Sequence, residues 1–316
     1  MSRIDQLKAP LFIAWQLTRD CDLCCLHCCT ESAPGKRLAH ELTAQESLRL
    51  AADIIHHDVP YVMLCGGEPL IVAHFWAVAE ALGGAGVRLK VETNGQKLDQ
   101  HAAERLARLP VRSVQISLDG ATQEVYARQR PGGALALAHA ACRAVVAAGL
   151  PLEVTFAPTR LNIHQAETVI EQARELGAFR LNTGKLMRIG TAARLWDRIA
   201  PSEIEYAPFL AMLRHQAASL AGSGFELCFE PFSMAEGLRR SLDEPAATLL
   251  VLPNGWVKVA APLPFVCGDL RREDLGAVWR AYRRFLSCDK FRSAAAEAMN
   301  DESLHAKANE WRWVGT

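Results

Sequence analysis

The sequence lacks a long apolar run, a low-complexity segment and a net charge. Among its 316 residues, no uninterrupted apolar stretch reaches the roughly 18 that a membrane helix needs. The 35 basic and 35 acidic residues cancel, so nothing pulls the chain toward nucleic acid or a membrane surface in general. Met1, Ser2, Arg3, Ile4 and Asp5 begin no secretory apolar region. These absences predict a cytoplasmic protein with neither membrane nor nucleic-acid partner, in a compartment where free thiols are normal. Cysteine is thin in the C-terminal third, where Cys228, Cys267 and Cys288 are scattered and residues 311–316 carry none. Half of the residues are hydrophobic, enough for a sizeable core, and the length suits one large α/β domain plus an extension, or a barrel alone.

Against that background one stretch is dense in cysteine. Cys21, Cys25 and Cys28 follow the spacing C-x3-C-x2-C, with Cys24 and Cys29 as surplus bystanders. Iron takes soft thiolate ligands, and a tight loop lets three of them face one iron–sulfur cluster. Three protein ligands for four irons leave one iron open to an exchangeable ligand, which points to chemistry rather than simple electron transfer. Zinc is the alternative, with His27 as a further ligand, although zinc sites usually pair C-x2-C units. Disulfides are a second alternative, disfavoured by the expected compartment.

The rest of the first two-thirds alternates strand and helix. Strands are predicted over residues 11–17, 61–65, 87–92, 111–117, 152–156 and 179–182. Helices are predicted from the capping box at Thr43 and Glu46, and near 73–83, 99–108, 133–148 (which takes in Cys142) and 164–176. Six such units imply a parallel sheet with right-handed crossovers, too few for an eight-unit barrel. The expected fold class is therefore α/β, a partial (βα)6 barrel.

In such sheets function gathers at the C-terminal strand ends. Cys21, Cys25 and Cys28 follow the first strand; Gly66, Gly67, Glu68 and Pro69 follow the second; Glu92, Thr93, Asn94 and Gly95 close the third; Ser117, Leu118, Asp119 and Gly120 close the fourth. Glycine there admits a ligand close to the backbone, and the polar groups suit an amine or a ribose. Each segment also has a plain reading. Gly and Pro punctuate turns, Asn94-Gly95 is a turn pair, Asp119 is a candidate helix cap, and Arg130 reads equally as a solvated loop arginine. Thr155, Asn162 and Asn182 are candidates at later strand ends, while His56 and His57 read as cations at a helix C-terminus.

The cysteine spacing, followed in order by these strand-end segments, resembles the radical SAM superfamily. The resemblance implies that Cys21, Cys25 and Cys28 hold one 4Fe–4S cluster and that S-adenosylmethionine chelates the fourth iron. Its reductive cleavage would give a 5′-deoxyadenosyl radical that abstracts hydrogen from a substrate. It further implies that Gly66, Gly67 and Glu68 meet the cofactor's amino group, that Asn94, Ser117 and Asp119 line the same pocket, that Arg130 takes its carboxylate, and that residues 187–190 approach adenine. The implied fold is the radical SAM partial barrel, with a core over residues 1–195.

Residues 196–316 resemble a SPASM-type extension, with a helix from Pro201, a strand over 225–230, a hairpin around Pro253, Asn254 and Gly255, and a stretch from Gly268 to Trp279. Where the hairpin of such extensions carries a cluster cysteine, this chain has Ala260 and Ala261, so the extension is expected to hold no auxiliary cluster. The expected activity is that of a maturase modifying a peptide or a cofactor precursor. An external donor such as flavodoxin or ferredoxin, and a separate leader-peptide recognition protein, are the expected partners. A metabolic enzyme acting on a small molecule, or a non-catalytic cluster-binding scaffold, are the alternatives.

Overall fold

The computed structural model describes residues 3–313; Met1, Ser2 and residues 314–316, which belong to the terminal stretches read above, lie outside the described residues. β-branched and aromatic residues build short strands, and amphipathic helices return the chain between them. The strands are β1 (Phe12–Gln16), β2 (Tyr61–Cys65), β3 (Arg88–Thr93), β4 (Val111–Ser117), β5 (Leu152–Thr155), β6 (Arg180–Gly184), β7 (Glu226–Glu230), β8 (Thr248–Val251), β9 (Trp256–Lys258), β10 (Phe265–Asp269) and β11 (Arg312–Trp313). They form one open sheet in the order β11-β10-β9-β8-β1-β2-β3-β4-β5-β6-β7.

Strands β1 to β6 run parallel, as their alternation with helices requires. The βα rhythm continues for one more unit beyond the six of the predicted core. The helix Glu203–Ser219, capped by Ser202 with Glu205 completing the box, carries the chain across to β7, parallel to β6. On the other flank β8 pairs parallel with β1, and the β8–β9 hairpin then turns antiparallel. The extension thus covers both edges of the six-stranded core, which would otherwise offer unpaired backbone.

Register explains the two unlike faces of the sheet. Leu64, Val91, Val114 and Leu152 stand in one row on the helix-covered face, and all are buried. The neighbouring row on the opposite, inner face reads Glu92, Gln115, Glu153 and Arg180. Strict alternation therefore yields an apolar outer core and a polar lumen, as expected when helices cover only one side. Fully buried Trp279 extends that core into the extension and ties the chain's two ends, donating from Nε1 to the Leu7 carbonyl at 2.9 Å.

Candidate functional site

The cysteine loop leaves β1 and is stitched down on three sides. Cys24 N–H donates to the Pro131 carbonyl and Leu26 N–H to that of Gln129, both at 3.1 Å. From below, Thr191 N–H donates to the Cys28 carbonyl at 2.9 Å, and Gly190 packs so tightly that a Cβ would sit 2.7 Å from that oxygen. Gly190 also has φ +62°, the left-handed region that favours glycine.

Cys21 and Cys25 are buried around Leu23, with Cys28 packed against them. Each sulfur meets its own donors. Cys21 Sγ accepts from Leu23 N–H at 3.4 Å and from Asn94 Nδ2 at 3.7 Å. Cys25 Sγ accepts from Arg130 Nη1 at 3.4 Å, and Cys28 Sγ from Ser32 N–H at 3.2 Å, with the Thr30 hydroxyl at 3.3 Å. Burial pushes the Cys21 thiol up to about 12 and the Cys25 thiol up to about 11, against the opposing pull of Leu23 N–H and Arg130 respectively. Among the described residues no three His, Cys, Asp or Glu side chains stand close enough together to hold a single metal ion. Ligands of one zinc converge at about 2.3 Å from the metal, whereas the corners of a four-iron cluster hold their thiolates further apart. Three thiols of one loop, each supplied with hydrogen-bond donors, suit the soft thiolate ligand set of an iron–sulfur cluster.

The end of β2 is welded to the root of this loop. Gly67 N–H donates to the Thr18 carbonyl at 2.7 Å and Glu68 N–H to that of Asp20 at 3.0 Å. A Cβ on Gly67 would overlap the Asp20 carbonyl, and one on Gly66, at φ +144°, would come within 2.7 Å of the Thr18 oxygen. Glu68 is fully buried at the head of a short 3-10 turn. Its Oε1 accepts from the Thr93 hydroxyl at 2.8 Å and Leu70 N–H at 3.0 Å, and its Oε2 from Asn94 N–H at 2.8 Å. Burial outweighs those bonds and lifts its carboxyl to about 7. Asn94 turns its side chain the other way, to Asp22 at 2.6 Å, and so couples the ends of β2 and β3 to the cysteines.

Beyond β4, Asp119 and Arg130 are both buried. Arg130 Nε donates to Asp119 Oδ2 at 2.5 Å, and Ala157 N–H to Oδ1 at 2.7 Å. His27 Nε2 stands 3.1 Å from the same Oδ2, while its Nδ1 meets Gln129 Nε2 at 2.8 Å. Burial works against the Asp119 charge, but Arg130 and then His27 hold its carboxyl well below the usual carboxylate range. Two plain readings of the sequence are thereby corrected. Asp119 is no helix cap, since Thr122 caps the helix Gln123–Gln129, and Arg130 is no solvated arginine. Asn162, a candidate at a later strand end, is buried and braces this network by donating to the Asp119 and Ala157 carbonyls at 3.0 Å.

Ser117 closes β4 on the inner face, half-buried and opposite Thr155. Below it lies a second charged network. Lys90 Nζ donates to Glu153 at 3.0 Å and Gln115 at 2.9 Å, and Asn182 Nδ2 donates to Glu153 at 2.8 Å. Glu92 stands further off, 3.7 Å from Lys90, with 31% of its side chain exposed. Thr155, by contrast, bonds the Asn182 carbonyl at 3.3 Å. His57 does cap its helix, through Asp53.

Sequence reasoning missed the Gln129–His27 contact, which joins residues 102 apart, and the buried Lys258 of β9. Lys258 donates to the Ala261 carbonyl at 2.7 Å, and burial lowers its ammonium to about 8. Only its place in a hairpin hinted at such a role. Cys228, Cys267 and Cys288 lie on β7, on β10 and before the helix Asp289–Asn300, and are not gathered.

The family model described as the radical SAM superfamily matches residues 15–183. The mycofactocin maturase MftC of Mycobacterium ulcerans is 34% identical over 197 residues, 62% of this chain and 53% of that protein. The chain therefore spans about half the length of that relative. An AdoMet-dependent heme synthase of Oleidesulfovibrio alaskensis is 28% identical over 317 aligned residues, covering 91% of this chain and 79% of its own. Streptococcus suis SuiB bound to S-adenosylmethionine superposes with a TM-score of 0.72 at 14% identity, over 95% of this chain and 76% of that one. SuiB bound to its precursor peptide SuiA gives 0.73 at 14% identity, over 90% and 69%.

Proposed function

The chain belongs to the radical SAM superfamily, whose members use a 4Fe–4S cluster and S-adenosylmethionine, and from that premise we propose that it is a maturase modifying a peptide or a cofactor precursor by hydrogen abstraction. Cys21, Cys25 and Cys28 would hold the cluster, which when bound supplies the electron that cleaves the sulfonium. The observation that carries this reading is the set of three cysteine sulfurs, each met by its own donors, fixed beside a buried glutamate at adjoining strand ends.

The chain's own residues do the rest. A carboxylate offers about four acceptor positions, and Glu68 gives three to protein donors. The remaining lone pair is suited to the cofactor's ammonium, whose arrival would favour the ionised form. Gly66 and Gly67 keep that corner free of side chains, while Asn94 and Ser117 bound the pocket from β3 and β4. The lumen row, with Glu92 accessible, is the wall against which a substrate would lie, and burial there positions it and excludes water.

We assign the core to residues 1–195 and the extension to 196–316. The reduction needs an external donor of the flavodoxin or ferredoxin class, and a peptide substrate is matched to a separate leader-recognition protein. SuiB, whose fold this chain shares, was solved with a precursor peptide, which supports a peptide substrate here; the heme synthase relative supports the cofactor-precursor arm. Among the described residues no helix is long and apolar enough to cross a membrane, in keeping with a cytoplasmic site of action.

The test is anaerobic reconstitution, reduction and addition of S-adenosylmethionine, with 5′-deoxyadenosine measured against Cys25→Ala. Product from the wild type alone is expected. Zinc in place of iron would overturn the reading, and a stable cluster that yields no 5′-deoxyadenosine with any reductant or candidate precursor would mark a scaffold.

A further inference from the structure

Arg130 touches a cysteine sulfur as well as standing where its sequence context suggests a carboxylate clamp. Its guanidinium is buried and held through Nε and Nη1. Nε is fixed by Asp119 at 2.5 Å, Nη2 lies 3.3 Å from His27 Nε2, and Nη1 points at Cys25 Sγ at 3.4 Å. The guanidinium's terminal nitrogens carry further N–H donors, so the bond to Cys25 and a contact with a cofactor carboxylate are compatible.

The anchorage is as complete as the aim. Asp119 is itself held by Ala157 N–H, and its backbone carbonyl by Asn162. His27 is held by Gln129, and Gln129 by the Thr159 hydroxyl at 2.8 Å. The neighbouring residue Gln129 also accepts Leu26 N–H from the cysteine loop. The guanidinium therefore cannot swing away without breaking several buried bonds.

The three sulfurs are not served alike. Cys21 meets a backbone N–H, an amide and the Asp22 carboxylate, and Cys28 a backbone N–H and a hydroxyl, whereas Cys25 alone receives a bond from a full cation. Hydrogen bonds to cluster sulfurs and nearby charge set the reduction potential. A charged donor withdraws density from the thiolate and favours the reduced, more negative cluster.

We propose that Arg130 is a positioning residue that raises the cluster's reduction potential through its charged hydrogen bond to Cys25. This rests on the cysteine assignment above.

The experiment compares reconstituted wild type, Arg130→Gln and Arg130→Lys. Cluster content is measured first by iron and sulfide analysis, then midpoint potential by EPR-monitored dithionite titration, then S-adenosylmethionine affinity by equilibrium dialysis. In Arg130→Gln, reduction should become about tenfold less favourable, about 59 mV more negative for one electron. Arg130→Lys keeps the cation but loses the fork, and should shift less. An unchanged potential, with or without a tenfold loss of affinity, overturns the proposal. Failure of both variants to retain a cluster that the wild type holds would show a structural role and also overturn it. A wild type without a cluster would sink the cysteine assignment itself, and this inference with it.

Discussion

The two buried charge networks of this protein sit one above the other and are built to opposite ends. At the rim, Asp119, Arg130 and His27 close on one another and on a cysteine sulfur. In the lumen, Lys90, Gln115, Glu153 and Asn182 close on one another but leave Glu92 loosely paired and partly exposed. The contrast separates positioning from recognition. A network closed on a cysteine holds a reactive centre still, whereas one that leaves an acceptor loosely paired and partly exposed has something to offer a ligand.

The largest effect should come from the thing the rim exists to hold. Cys25→Ala should abolish 5′-deoxyadenosine formation, with bound iron falling in parallel on elemental analysis. Next is the rim network itself. Asp119→Ala leaves the Arg130 cation buried without its carboxylate, which should cost about 3–5 kcal/mol. Anaerobic urea unfolding measures this, and a cost under about 1 kcal/mol would show that the rim tolerates an unpaired charge.

The lumen should respond less. Glu92→Gln removes a charge that burial disfavours, with Lys90 only partly compensating. Stability should then stay within about 0.5 kcal/mol of wild type. A loss as large as that of Asp119→Ala would erase the contrast between the two networks.

The smallest effect belongs to Glu68, between the two. Its carboxyl is lifted by burial from 4.5 to about 7, so the folded state binds the proton more tightly than the unfolded chain. Its share of folding stability is therefore present below about 4.5 and declines as pH rises to about 7. Binding of a cationic amine has the opposite sign. Affinity for S-adenosylmethionine should grow from pH 6 to pH 8, and Glu68→Gln should flatten the profile; a flat wild-type profile would remove Glu68 from the amine site.

How much of this was legible depends on the range of each interaction. Short spacings were readable: C-x3-C-x2-C, the Gly66 to Pro69 turn, and the Thr43 and Glu46 capping box all act within a few residues. Strand ends were readable to within a residue or two, because alternation and breakers are local. The placement of β7 and β8 on opposite flanks of the core was not, since sheet order depends on which edges need covering. Arg130 shows the limit most clearly. Its surroundings in sequence suggest a loop or a clamp, whereas its partners are Cys25, His27 and Asp119, up to 105 residues away.

By itself, then, the sequence determined the chemistry on offer: three thiols in one loop, a glutamate after two glycines, and a βα alternation that sends four strand ends to one rim. Those follow from covalent spacing and local backbone preference, which need no tertiary contact. Only the folded structure decided which charges are used up and which remain free. Partner choice among buried groups is settled by packing, where desolvation makes an unmatched charge costly and so forces each one to find whatever neighbour the topology has brought near.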